Sequence, residues 1–513
     1  MPPPPTLITG PAASGKTSLA LAEYAARFSA VRPGQALWMA PSGRAATQIR
    51  GQILAAAPRA AVLAPGVHTF AGLAAAVVQA SRQPVRRIGP LEKRVLVARL
   101  IDEARRSGRL RHFHAVADTR GFIDLILQFI AEWKRLEIWP DDFRSAAESR
   151  GRTAKDAELA MLYESYQATL TRRQWFDAEG LIWLARAQLR DGQAAPFPEL
   201  RILVADGFSD FTRTEHEILE LLAKRSERSL ITLPDEAGDE RSDLFAKARR
   251  TATQIKSRQP GCCIEQLPPR SSGAWPAMEH LERRVFGHPR QVVQSNDARR
   301  IEILAASREL GELEMIATRI KSLLIDGDSD DGRAVAPGDI AVVYRSLDSV
   351  APLVREAFER YGIPYYLEKA ESLSATPLVS ALLQLLRLHA EDWPHRTLLS
   401  VLNQAYFRPP WAGWSTRAAT AVERAVRAMQ LPRGREALLK RSERAALSAP
   451  DDLKMDVAAQ HRFLAALREE LASLPERALA PDWLASLEQV SRALGYFREL
   501  SAADASAWRQ LQE

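Results

Sequence analysis

Four residues near the N-terminus have the types and spacing to hold a phosphate chain. Gly10, Gly15, Lys16 and Thr17 spell G-x-x-x-x-G-K-[ST] within Thr6-Leu-Ile-Thr-Gly-Pro-Ala-Ala-Ser-Gly-Lys-Thr17. In such a loop the backbone N–H groups wrap phosphates and the following helix adds partial positive charge. The lysine reaches the β/γ-phosphates, and the hydroxyl sits on Mg²⁺. The chemistry needs a strand before the loop and a helix after it. Leu7 and Ile8 are a short apolar run, and Ser18 opens a helical pattern, so the order is right.

A phosphate loop needs a carboxylate at the end of a neighbouring strand to complete the Mg²⁺ shell. Asp206 is the candidate: it closes the apolar run Ile202-Leu-Val-Ala, far downstream of Lys16. Hydrolases of this kind place a glutamate directly after that aspartate to activate water. Here the next residue is Gly207, and the nearest acids are Asp210 and Glu215. The motifs therefore argue for nucleotide binding more strongly than for hydrolysis.

The elements that position these residues follow from the pattern of the chain. Residues 1–81 alternate strand and helix. Gln35–Ala40 is a strand, Ser42 an N-cap, and Gly66-Val-His-Thr-Phe the end of a third strand. Residues 82–190 turn almost wholly helical. The strand pattern resumes at Ile202 and again at Ser229-Leu-Ile-Thr-Leu-Pro. Gln259–Arg270 and Arg290–Asp297 read as polar loops. Strands at Arg300–Ala305, Asp339–Arg345 and Ile363–Leu367, alternating with helices, then suggest a second α/β unit. The expected fold class is α/β: a P-loop, RecA-like parallel sheet with large helical insertions and a partial second RecA-like domain. The domains implied are 1–81 with 191–296 as the first RecA-like domain, 82–190 as a helical insertion, 297–390 as the start of the second, and 391–513 as a further helical insertion, apparently truncated.

Composition narrows the class. Apolar residues make 46% and charged residues 26% of the 513, ordinary for a soluble chain. No apolar run reaches the ~20 residues that span a bilayer, so no membrane partner is expected. No basic, then apolar, leader opens the sequence, and the two cysteines, Cys262 and Cys263, are adjacent. A cytoplasmic setting fits. Two cysteines cannot make a four-cysteine cluster. The net charge of +7 is compatible with nucleic acid. Arg82–Arg111 and Arg417–Arg444 suit phosphate contacts or solvated faces equally. Trp411 and Trp414 read as packing residues, and His112 and His114 lack ligand-spaced partners for a metal.

Taken together, the N-terminal phosphate loop, APSGRAATQIR, GVHTF, ILVADGFSDFTRTEHEIL and the late GDIAVVYRSLDSVAPLVREAFERYGIPYYLEK resemble a UvrD/Rep-type superfamily-one helicase scaffold. Within it they resemble the B subunit of AddAB/RexAB-type helicase–nucleases. Only five residues precede the first strand, where active members of the scaffold carry a glutamine motif, and Asp206-Gly-Phe-Ser-Asp-Phe-Thr stands where they carry Asp-Glu. The resemblance covers the N-terminal half of such a subunit. It implies ATP and Mg²⁺ as cofactors, with Gly10, Gly15, Lys16 and Thr17 as the phosphate loop and Asp206 as the Mg²⁺ carboxylate. Arg345 matches the arginine that approaches the γ-phosphate, which with Lys16 makes the catalytic pair. His68, Thr69 and Phe70 match the motif that touches single-stranded DNA. The implied partners are DNA, single-stranded or at a duplex end, and an A-type helicase–nuclease subunit. The coupling glutamine after the fourth strand is replaced by Thr232-Leu-Pro-Asp-Glu. The expected function is an ATP- and DNA-binding subunit in double-strand-break repair, with no nuclease chemistry in these residues. The alternatives are an active superfamily-one translocase and another P-loop enzyme.

Overall fold

The computed structural model describes the chain except residues 1–2, 29–31, 57–64, 82–84, 152, 193–194, 239, 271–275, 288–289, 298–300, 328–333, 370–371 and 513. It divides into two compact units, Met1–Glu302 and Ile303–Glu513.

The first unit is built on a six-stranded, wholly parallel sheet. Strand β1 (Thr6–Gly10) feeds helix α1 (Lys16–Phe28), β2 (Ala36–Met39) feeds α2 (Gly43–Ala56), and β3 (Val67–His68) feeds α3 (Phe70–Ala80). The chain then leaves the sheet. A two-residue strand β4 (Arg86–Arg87) is followed by α4 (Pro90–Arg106), α5 (Arg120–Arg135), α6 (Pro140–Ser149) and α7 (Ala154–Arg173). Strand β5 (Trp175–Phe176) pairs with β4, and α8 (Ala178–Arg190) leads back. The sheet resumes with β6 (Ile202–Ala205), α9 (Arg213–Ala223), β7 (Ser229–Pro234), α10 (Ser242–Arg258), β8 (Cys263–Gln266) and α11 (Pro276–Arg284). The strand order is β3-β2-β6-β7-β1-β8. The register pairs Gly10 with Pro234, and Met39 with Ala205.

That order explains the composition of the strands. A parallel sheet covered on both faces has no wet side, so its strands are continuously apolar rather than alternating. Strands β1, β2 and β6 are buried at every position. One face packs on α3, α8 and α9 through Leu73, Val77, Leu181, Ala185 and Ile218. The other packs on α1 and α2 through Ala20, Tyr24, Ile49 and Ile53.

The helical insertion has its own core, around Ile101, Ile126, Ile130, Tyr163 and Tyr166. Beneath it lies a buried ion pair. Lys134 Nζ on α5 donates to both carboxylate oxygens of Asp177 (2.7 and 2.8 Å), which also accepts from Tyr166 Oη (2.9 Å) and caps α8 through Gly180 N (2.8 Å). Burial pushes the Asp177 carboxyl up, but Lys134 and the amide of Gly180 outweigh it and hold it below the ordinary value. Burial pulls the Lys134 ammonium down.

In the second unit the helices α12 (Glu309–Asp326) and α13 (Ala351–Tyr361) pack on each other through Leu313, Ala317, Val354 and Phe358. Among the described residues seven further helices follow, α14 (Pro377–Ala390), α15 (His395–Asn403), α16 (Thr416–Met429), α17 (Arg435–Leu447), α18 (Lys454–Ala472), α19 (Ala480–Ala493) and α20 (Ala502–Gln512), around Leu385, Leu402, Val426, Leu467 and Tyr496. Trp411 and Trp414 pack with Phe407 and Phe463.

Two expectations change here. Residues 301–305, 339–345 and 363–367 form no strand among the described residues; residue 300 lies outside them. Ile340, Tyr344 and Leu367 pack beside the α12–α13 core, yet Val343 and Tyr366 are 87% and 86% exposed, so the apolar pattern is half used. Conversely, Gln259–Arg270 is not all loop: β8 lies inside it, hydrogen-bonded to β1 at the sheet edge. Its residues are exposed and mixed, as edge strands often are, which hides them from a hydropathy pattern.

Candidate functional site

Ligands of open α/β sheets bind beyond the carboxyl ends of the strands, and the motif residues gather there. Between β1 and α1, Gly15 holds φ +93°, a left-handed conformation suited to glycine. A Cβ on Gly10 would come within 2.6 Å of Ser14 Oγ. The loop therefore closes tightly on itself, and Lys16 folds into it. Its Nζ donates to Gly10 O (2.7 Å), Pro11 O (2.6 Å) and Ser14 Oγ (3.3 Å). Burial lowers the pKa of Lys16, while the charges of Asp206 and Glu282 act the other way.

Thr17 and Asp206, 189 positions apart in sequence, meet directly. Thr17 Oγ1 donates to both carboxylate oxygens of Asp206 (3.2 and 3.0 Å). Asp206 is buried at the end of β6. It accepts a 2.6 Å bond from Thr232 Oγ1 on β7, and its N–H donates to Met39 O on β2 (3.1 Å). Thr232 Oγ1 in turn accepts from Gly207 N (3.2 Å). A strand on each side thus fixes the carboxylate, and its orientation does not depend on a ligand.

The acids around it are otherwise engaged. Gly207 holds φ +84°, and a Cβ there would lie 3.4 Å from Pro41. Asp210 pairs with Lys247 at the surface (3.0 Å). Glu215 closes the capping box of α9 on Thr212 N (2.8 Å).

The His68–Phe70 motif divides into separate roles. Thr69 caps α3, accepting from Gly72 N (3.2 Å). His68 is half-buried against Phe197, and burial, with Arg50 adding to it, lowers its pKa. The Phe70 ring is 5% exposed and packs edge-on against Phe208 and Phe211. This corrects the expectation that Phe70 stacks on a base: its ring is spent inside the core, joining α3 to the loop after Asp206. Arg345 lies in the second unit, exposed, after Tyr344.

The sequence reading missed one residue at this site. The Arg270 guanidinium lies over Gly15, where an added Cβ would approach its Cζ, Nη1 and Nη2 to 2.6–2.8 Å. It follows β8 by four positions. The signal for it was Pro268-Pro-Arg after a short strand, and β8 was too polar to be read as one.

The donors that meet at Thr17 and Asp206 are all oxygen, which suits a hard cation such as Mg²⁺. No group of three or more His, Cys, Asp or Glu among the described residues could hold a metal ion alone. The pair therefore fits a cation that takes its remaining ligands from phosphate and water. No helix among the described residues is long and apolar enough to cross a membrane.

Sheet, loop and insertions define a RecA-like α/β protein whose first domain is interrupted by helices. Residues 7–282 match the family described as "ADDB, N-terminal", and the chain belongs to that family. It is similar to proteins named as the B subunit of an ATP-dependent helicase/deoxyribonuclease. That of Desulforudis audaxviator is 26% identical over 416 residues, 77% of this chain and 34% of the relative. That of a Bacillus cereus strain is 26% identical over 429 residues, 78% and 35%. That of Thermoanaerobacter sp. (strain X514) is 25% identical over 312 residues, 58% and 26%. The chain thus spans about a quarter to a third of the length of the relatives it matches.

Proposed function

We propose that the chain is the nucleotide- and DNA-binding portion of an ATP-dependent helicase–nuclease subunit, acting on DNA ends in double-strand-break repair beside an A-type partner in the cytoplasm. The observation that carries this reading is the contact of Thr17 with Asp206 beside a lysine seated in its glycine loop. In the reading, the loop amides and Lys16 take the β/γ-phosphates of ATP. Thr17 and Asp206 hold Mg²⁺, which would neutralise phosphate charge when bound. Arg270 and Arg345 offer guanidinium groups for phosphate oxygens, a role suited to planar, multiple hydrogen bonding. His68 and Thr69 are the residues of the DNA motif left for a strand to meet. The two units are proposed as the RecA-like domain 1–81 with 191–296, its insertion 82–190, and a second domain from 297 with its helical insertion from 391.

Binding, rather than rapid hydrolysis, is the activity proposed, because the position after Asp206 carries no acid. The deoxyribonuclease activity in the relatives' name is not assigned to these residues. The test is equilibrium binding of a fluorescent ATP analogue with Mg²⁺. Asp206→Asn should weaken binding roughly tenfold through loss of a charged ligand oxygen, and DNA-stimulated turnover should stay low. Robust turnover in the wild type, abolished by Lys16→Ala, would favour the active-translocase reading.

A further inference from the structure

The loop after β7 is fastened to the phosphate loop. Asp235 N donates to Gly10 O (3.1 Å), continuing the β1–β7 pairing past its last register pair, Gly10 with Pro234. The two acids that follow β7 point different ways. Asp235 Oδ1 accepts from Arg249 Nε (2.8 Å) on α10 and from Glu236 N (2.9 Å), so Asp235 is committed to the loop itself. Glu236 instead lines a cavity of about 550 Å³ whose wall includes Pro11, the residue whose carbonyl accepts from Lys16 Nζ. Arg241 holds the Glu236 carboxylate by two-point pairing, Nε lying 2.9 and 3.2 Å from its oxygens. Arg241 is itself buried and reaches the carbonyl and carboxylate of Glu282 on α11.

Strand order gives this carboxylate its meaning. β7 lies between the strand of the phosphate loop and the strand of Asp206. A residue just beyond the carboxyl end of that middle strand faces the same crevice as both. Gly207 has no acid to offer, Asp210 and Glu215 are engaged elsewhere, and Glu236 is the acid that shares a cavity wall with the phosphate loop.

We propose that Glu236 is the general base for ATP hydrolysis at this site, with Arg241 as its positioning residue. The proposal rests on the nucleotide reading above. A water oxygen attacks the γ-phosphorus as the bond to the β,γ-bridging oxygen breaks. The bridging oxygen leaves with the electron pair as part of ADP, and the water's proton passes to Glu236. Base catalysis of this kind contributes roughly 10²–10⁴-fold, so the acid need not follow Asp206 for turnover to exceed background.

The experiment is single-turnover phosphate release by the full chain with ATP and Mg²⁺, alongside equilibrium binding of a fluorescent ATP analogue. Glu236→Gln should slow release at least tenfold while the dissociation constant changes less than twofold. Glu236→Asp should recover part of the rate. Asp210→Asn and Asp235→Asn should leave the rate within twofold. Arg241→Ala should lower the rate with binding kept, and Arg241→Lys should recover part of it. Release undiminished in Glu236→Gln, loss in Asp235→Asn instead, or bound ATP left intact by the wild type would overturn the assignment. If the wild type binds no nucleotide, the nucleotide reading fails first, and this assignment fails with it.

Discussion

At Gly207 the backbone is left-handed, and Pro41 occupies the space a side chain would need. The missing acid is therefore not a single substitution away, because the local backbone has moved to a conformation that an L side chain rarely adopts. Gly207→Glu should cost about 1–3 kcal/mol of stability, read as a lower urea midpoint, and should not raise turnover. Thr17→Val should weaken nucleotide binding with Mg²⁺ present and have little effect when Mg²⁺ is chelated, because the hydroxyl is assigned to the cation; an equal loss in both conditions would place Thr17 elsewhere. Histidines set a pH dependence. Burial lowers the pKa of His68, His216 and His389 below the ordinary 6.5. The unfolded chain then binds more protons than the folded one just below that value. The stability these residues contribute is present above pH 6.5 and is lost as the pH falls through it toward the folded values. The melting temperature should drop between pH 7.5 and 5.5, and replacing His216 with Gln should flatten that slope.

Among the elements, the phosphate loop was fully legible, because its glycines, lysine and threonine act through local geometry. Asp206 was legible as the polar end of an apolar strand. β8 and Arg270 were not, since an exposed edge strand carries no hydropathy signature. Phe70 misled for a related reason: an aromatic at a strand end looks the same whether it faces a base or Phe208 and Phe211, and only packing decides. The segments at 301–305, 339–345 and 363–367 carry a strand-like pattern without strand pairing in the structure. The Lys134–Asp177 pair was invisible, because nothing in either local sequence names the other. Removing one partner leaves a charge buried, so Lys134→Met should cost about 3–5 kcal/mol, measured by denaturant unfolding. Replacing both partners, Lys134→Met with Asp177→Asn, should cost less than the single change; a larger loss would mean that the pair does more than neutralise itself.

At the scale of the whole molecule, the division at Glu302 places the phosphate loop, Asp206, Arg270 and Glu236 in one unit, with a sheet and two cores of its own. Residues 1–302 alone should therefore bind the ATP analogue within about threefold of the full chain; a much larger loss would mean that the second unit, with Arg345, completes the site. The net charge of +7 makes the DNA proposal testable by salt. The logarithm of the affinity for single-stranded DNA should fall linearly with the logarithm of salt concentration, as counterion release requires. The most direct test of the central claim is the affinity of wild type and Lys16→Ala for a fluorescent ATP analogue with Mg²⁺, measured side by side at matched folding. Loss of the ammonium from the glycine loop should weaken binding by about 10–100-fold, the size of a charged hydrogen bond to phosphate. Equal affinity in the two proteins would contradict the account.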